Sequence, residues 1–264
     1  MTDVQNQPDK RGIKIQRTGV TQVLLPFFIS DGDETQPVTA QIRFTVSLAE
    51  NLRGTHMSRL TEILTDWTSR PIKIPDVEKI LREATEKLST DFAAITIAFK
   101  FFAKKFSPVT EKFSMSPVDC EFDGELVAGE RMKFTLGLSV PFTSLCPCSK
   151  EISDFGAHNQ RSICRVRLTF ADTDKLCNVS IKNFVRLIER QGSAEIYSLL
   201  KREDEKFVTE AAYRNAKFVE DILRDVVLAL RGVKNLCAFR VECENFESIH
   251  SHNAFAAHEE IIGG

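Results

Sequence analysis

Residues 39–48 (TAQIRFTVSL) place an apolar side chain at nearly every second position, the mark of a strand with one buried face. Residues 13–30 alternate more loosely and are rich in β-branched and aromatic side chains, which predicts a strand with an irregularity at Gly19. The turn cluster Asp31-Gly32-Asp33 follows it. The period then changes. Residues 59–67 and 75–88 carry helical spacing, and in the second segment Val77, Ile80, Leu81 and Ala84 share a face. Period two returns over 91–106, through Ala93, Ile95, Ile97 and Phe99, and less regularly over 112–121. The second half restates the order, with strands at 131–142 and 163–170, helices at 181–190 and 210–230, and closing strands at 236–250 and 252–262. In the long helix, Phe218, Ile222, Leu223, Val226 and Val227 form one stripe.

Two strands, two helices and two strands, stated twice, predict an α+β chain of two units, each an antiparallel β-sheet with two helices packed on one face. The stretch 122–130 (FDGELVAGE), with two glycines and three acids, reads as the connection between a first unit at 13–121 and a second at 130–264. Residues 1–12 are polar and read as a flexible lead. The repeat is one of pattern, since the halves share no visible identity.

Composition narrows the class. In 264 residues the hydrophobic fraction is 42%, enough for a sizeable core. The 35 basic and 37 acidic residues nearly cancel, so nothing marks a nucleic-acid coat. No apolar run approaches the roughly 20 residues of a membrane span, and the N-terminus lacks the apolar segment of a secretory signal. A cytoplasmic setting is expected. The seven cysteines are then reduced thiols, and their odd number fits no complete disulfide framework.

Three polar clusters stand out. Residues 143–162 (TSLCPCSKEISDFGAHNQRS) crowd Cys146, Cys148, Lys150, Glu151, Asp154, His158, Asn159 and Arg161 behind a strand. So many polar groups cannot be buried cheaply, which points to a functional loop with one helical turn. Cys146 and His158 are a thiolate and imidazole pair suited to a transition metal, with a third ligand needed from elsewhere. The plain alternative is a loop with two buried thiols and a surface histidine. Residues 242–252 (ECENFESIHSH) set Glu247 three positions before His250, and put His250 and His252 on one face of a strand. A histidine beside a carboxylate is a proton shuttle near neutral pH; the alternative is a solvated strand end. Residues 195–210 (EIYSLLKREDEKFVTE) hold Glu195, Lys201, Arg202, Lys206 and Glu210. Charge runs of this kind are usually solvated faces, although the cations suit phosphates.

The segments SLCPCSKEISDFGAHNQRS, LLKREDEKFVTEAAYRNAKFVEDILRD and NFESIHSHNAFA, with the opening DVQNQPDKRGIKIQRTGV and RGTHMSRL, resemble the type IB GTP cyclohydrolase I family, the bacterial folate-pathway form. The resemblance spans essentially the whole chain. It implies the tunnelling fold, two units in tandem, a homotetramer with active sites at subunit interfaces, and one divalent metal ion per site, whether Zn, Mn or Fe(II). It implies conversion of GTP and water to 7,8-dihydroneopterin triphosphate and formate, the first step of tetrahydrofolate biosynthesis. By position, Cys146, His158 and Glu195 match the metal ligands, Glu210 the guanine anchor, His250 the catalytic histidine with Glu247 beside it, and Cys148 the second cysteine of the motif. Next to Glu195 this chain has Ala194, where relatives often carry cysteine. Lys150, Arg161, Lys201 and Arg202 are the candidates for the triphosphate, with Arg59 reaching from a neighbouring subunit.

The chemistry explains the residue types. A divalent ion lowers the pKa of a bound water and supplies hydroxide at neutral pH, and a thiolate, an imidazole and a carboxylate leave it an open position. A carboxylate suits the guanine edge, where N1–H and the 2-amino group present two donors. Two other readings compete. A nitrile reductase of the same fold uses a cysteine nucleophile and NADPH without a metal. A non-enzymatic nucleotide-binding module would hold a closed structural metal, with Cys148 as fourth ligand.

Overall fold

The computed structural model describes residues 5, 7–170 and 173–262. Among the described residues, nine strands and six α-helices follow the order β1 (Ile15–Asp31), β2 (Glu34–Leu48), α1 (Met57–Trp67), β3 (Pro71–Ile72), α2 (Asp76–Leu88), β4 (Phe92–Phe106), β5 (Phe113–Val127), β6 (Lys133–Leu145), α3 (Pro147–Ile152), β7 (Asn159–Phe170), α4 (Ile181–Glu189), α5 (Arg202–Arg214), α6 (Val219–Arg231), β8 (Leu236–Asn245) and β9 (Ala254–Ile261). The strand order is β3-β1-β2-β4-β5-β6-β7-β8-β9, so sequence neighbours are mostly sheet neighbours. Two compact units result, one of residues 1–100, 121–136 and 170–179, the other of residues 101–120, 137–169 and 180–264.

In the first unit, β1 and β2 form a hairpin with Asp31 opposite Glu34 across Gly32-Asp33. The register slips between Ile15 and Thr18 and again between Val20 and Val23, on either side of Gly19, where the sequence predicts an irregularity. α1 buries Leu60, Ile63, Leu64 and Trp67, and α2 buries Val77, Ile80, Leu81 and Ala84, as the helical spacing requires. Gln5, Gln7 and Asp9 make backbone hydrogen bonds with residues 51–54, while residues 1–4 and 6 of the expected lead lie outside the described residues.

Two elements differ from the sequence reading. Residues 122–127, expected to be a connection, continue β5. Phe122 and Leu126 point inward, and a Cβ on Gly124 would come within 2.7 Å of Val77, so the glycine serves close sheet-to-helix packing rather than a break. The single helix expected over 210–230 is two helices, α5 and α6, separated at residues 215–218. Phe218, assigned to the apolar stripe, is extended (φ −70°, ψ 162°) and 41% exposed. Asp221 accepts its backbone N–H at 3.1 Å and starts a fresh helix. The stripe that remains is Val219, Ile222, Val226, Val227 and Leu230, packed with the buried face of α4 (Ile181, Phe184, Val185, Ile188) in the second unit.

Candidate active site

The thiol and the imidazole of the 143–162 segment are set by the ends of two strands. β6 runs to Leu145, Cys146 caps the short α3, and β7 opens at Asn159. The Cys146 N–H donates to the His158 carbonyl at 3.1 Å, which closes the loop and brings the two residues side by side. Cys146 Sγ accepts the Ser149 N–H at 3.5 Å. Cys148, one residue into α3, is exposed.

His158 is held from one side. Its Nδ1 lies 2.9 Å from Gln160 Oε1 and 3.7 Å from Glu247 Oε2. Gln160 Nε2 donates to Ser144 Oγ at 2.9 Å and towards Glu247 Oε1 at 3.4 Å, which leaves Oε1 as the acceptor facing the ring. Nδ1 therefore carries the proton, and the lone pair sits on Nε2. This is how a metal-ligating imidazole is normally braced. Gln160 is two residues beyond His158 and lies with Ser162 on the inward phase of β7. The expected strand opens only at residue 163, so the sequence reading left Gln160 in the polar loop and gave it no role.

His250 stands beyond His158, with ring centroids 6.4 Å apart and planes at 87°. It stacks on His252 at 5.2 Å. The expectation that these two share a strand face is corrected: β8 ends at Asn245 and β9 begins at Ala254, so both ride the intervening loop. That loop is anchored where the Phe246 N–H donates to the Arg161 carbonyl at 3.0 Å. Cys146, His158, Glu247 and His250 are thus gathered at the ends of β6, β7 and β8, from positions about 100 apart in the chain.

Glu195 arrives by a different route. Thr143 and Ala194 pair as an isolated antiparallel bridge, which sets Ala194, the residue before Glu195, against β6 three residues before Cys146. Gly192 makes the approach possible, since a Cβ there would lie 2.6 Å from the Phe142 ring. The Glu195 carboxylate itself is 3.3 Å from Lys105 Nζ, which also lies 2.6 Å from Glu189 Oε1. Burial pushes the Glu189 carboxyl up to about 7 against the pull of Lys105. Burial, and then the charge of Glu195, raises the Tyr197 phenol as well. Among the described residues, no group of three or more His, Cys, Asp or Glu is disposed to hold a metal ion. The donor types fit one nonetheless: a thiol at Cys146, an imidazole at His158 whose Nδ1 is engaged, and a carboxylate at Glu195, with the Cys146 and His158 backbones joined by a hydrogen bond.

The break between α5 and α6 has a use. Asn215 Nδ2 donates to the Gly192 and Ser193 carbonyls, the Lys217 N–H donates to the Leu145 carbonyl, and Lys217 Nζ donates to the Gln191 carbonyl. A continuous helix would tie up the Lys217 N–H in its own ladder, so the bond to the Leu145 carbonyl, next to Cys146, depends on the break. Lys150 Nζ donates to the Tyr213 carbonyl at 2.6 Å and lies over that ring. Lys201, Arg202 and Arg161 are exposed. Glu210, on α5, pairs with Arg214 at 2.5 Å and with Lys206 at 3.8 Å. Arg59 lines a separate cavity of about 530 Å³ in the first unit, with Lys14, His56 and Thr55.

The run 201–206 is not wholly the solvated face that its charges suggest. Asp204 is fully buried. It accepts the Val109, Thr110 and Lys201 N–H groups, each at 2.9 Å, and the Thr110 hydroxyl at 2.5 Å. Burial alone would raise its pKa, but the Thr110 hydrogen bonds, with those of Lys201 and Val109, outweigh it and hold the carboxyl below the usual range.

The family described as type I GTP cyclohydrolase folE2 matches residues 1–256. The chain belongs to that family. GTP cyclohydrolase FolE2 of Geobacter sulfurreducens is 45% identical over 261 residues, covering 98% of both chains. The protein of the same name from Citrifermentans bemidjiense is 43% identical over 260 residues, 98% of this chain and 94% of that one. Among solved structures, uricase from Arthrobacter globiformis aligns with a TM-score of 0.52 at 8% identity, covering 93% of each chain. Urate oxidase from Bacillus subtilis gives 0.53 at 7%, covering 93% of this chain and 98% of that one. At such identities these show the fold alone, the α+β tunnelling fold expected for this cyclohydrolase family.

Proposed function

We propose that this GTP cyclohydrolase is of the type IB form, acting as a homotetramer with one divalent metal ion per active site. It converts GTP and water to 7,8-dihydroneopterin triphosphate and formate. The observation that carries the reading is the corner formed by Cys146, His158, Glu247 and His250, in which His158 presents a free Nε2. Cys146, His158 and Glu195 would hold the ion, which when bound supplies a water of lowered pKa to the C8 position of the purine. His250, exposed and edge-on to His158, is placed to move protons to and from the ring nitrogens. Glu247 orients His158 through Gln160. Glu210 accepts from guanine N1–H and the 2-amino group once GTP replaces its helix partners Arg214 and Lys206.

The triphosphate is assigned to Arg161, Lys201 and Arg202, with Lys150, which reaches from α3 to the end of α5, and Arg59 contributed by a neighbouring subunit. Exposed Phe102, Phe106, Phe113 and Met115 in the second unit support association, since so many large apolar side chains seldom face water together. The held tautomer of His158 favours a metal site over the metal-free reductase chemistry. The test is GTP turnover by metal-stripped protein reconstituted separately with Zn(II), Mn(II) and Fe(II), read by the fluorescence of the oxidised pterin and by formate. Metal-dependent pterin is the expected result. A folded, metal-binding protein that makes no pterin with any of the three would overturn the reading.

A further inference from the structure

Lys105 breaks the rule of its own strand. Phe99, Phe101 and Ala103 occupy the buried phase of β4, and Lys105 continues it with a side chain only 6% exposed. A buried ammonium persists only when its charge and its donors are satisfied. Lys105 finds that satisfaction in two places. One is Glu189, at the end of α4 and 3% exposed, at 2.6 Å. The other is three consecutive residues: the Glu195 carboxylate at 3.3 Å, the Ile196 carbonyl at 2.8 Å and the Tyr197 ring at 4.9 Å. A lysine needed only to neutralise Glu189 would require none of these.

Residues 195–200 form no helix or strand. The backbone bridge at Ala194 sets where residue 195 begins, but not where its carboxylate goes. We infer that Lys105 is a positioning residue for Glu195, fixing the carboxylate and the following peptide at the end of β6, with Glu189 balancing its charge. The Glu189 carboxyl, in contact with the ammonium at 2.6 Å, offsets its charge beside a cation. This rests on the assignment of Glu195 as a metal ligand under the proposed function.

The test uses the full chain. Lys105→Met alone would strand Glu189 as a buried, unpaired charge and could fail to fold, so the informative variant is Lys105→Met/Glu189→Gln, which removes both charges together. Zn(II) and Mn(II) affinities are measured on stripped protein by competition with a chromophoric chelator, and folding by circular dichroism. The expected result is a folded double variant whose metal affinity falls by roughly 10–100-fold. Glu195→Gln should then cost less in this background than in the wild type, because part of what it removes is already lost. Wild-type affinity in the double variant, or losses that simply multiply, would overturn the inference. Cys146→Ala in the same assay separates the two levels of claim. If it binds metal as tightly as wild type, the metal site itself is wrong, and the role of Lys105 falls with it.

Discussion

Gln160 shows how much of a site can rest on one neutral side chain. Its carbonyl fixes the proton on His158 Nδ1, and its amide ties that choice to Ser144 and Glu247. Gln160→Ala should leave the fold intact and weaken metal binding by roughly 10–100-fold, measured by chelator competition; an unchanged affinity would mean that the tautomer is set elsewhere. Glu210→Ala should weaken GTP binding by about 1–3 kcal/mol, since two guanine donors lose their acceptor. Metal content should stay at the wild-type value, and its loss would mean that the roles of Glu195 and Glu210 are exchanged. His250→Ala should retain metal and nucleotide while slowing pterin formation by roughly 10²–10⁴-fold. A wild-type rate in that variant would remove His250 from the proton-transfer steps.

Helices and loops of the second unit are held to one another by capping groups as much as by apolar burial. Asp204 starts α5 by accepting the Lys201 N–H, and clasps the tip of the β4–β5 hairpin through Val109 and Thr110. Its carboxyl titrates below the usual range when folded and near 4 when unfolded, so the unfolded chain binds the proton first. The clasp therefore contributes fully above about pH 4, and its contribution falls as the pH drops further. Asp204→Asn should lower stability at pH 7 and flatten the acid limb, in urea titrations repeated between pH 3 and pH 7. Parallel acid limbs for the variant and the wild type would show that Asp204 is not the group responsible. The α5–α6 break is of the same kind, with the freed Lys217 N–H and the Asn215 and Lys217 side chains securing residues 145 and 191–193.

For the assembled molecule, the decisive question is whether one chain completes a site. Arg59 lies in the first unit, in a cavity lined by Lys14 and His56, whereas Cys146 and His158 lie in the second. If Arg59 serves a neighbour's site, Arg59→Ala and Cys146→Ala proteins should each be nearly inactive, yet regain part of the activity when unfolded and refolded together. Light scattering should give the mass of four chains. Hybrids that stay inactive would place Arg59 within its own chain's site or outside catalysis.

Much of this was legible in one dimension. Alternation and helical spacing are properties of neighbours in the chain, so the strands, α1, α2 and α4 follow from local pattern. The crowding of polar residues over 143–162 and 242–252 drew attention to the candidate site, because a core cannot absorb so many unpaired polar groups. Lys105 and Gln160 were not singled out in the sequence, since only the structure shows them on the buried phases of β4 and β7 with their partners. Those partners lie far off in sequence: Lys105 with Glu189 and Glu195, Asp204 with Val109 and Thr110, Gln160 with Glu247. The break between α5 and α6 was hidden for a related reason, since residues 215–218 hold no glycine or proline and the carbonyls they bond belong to distant loops. Which buried polar group meets which is decided only when the chain closes, because each must find a partner or forgo burial.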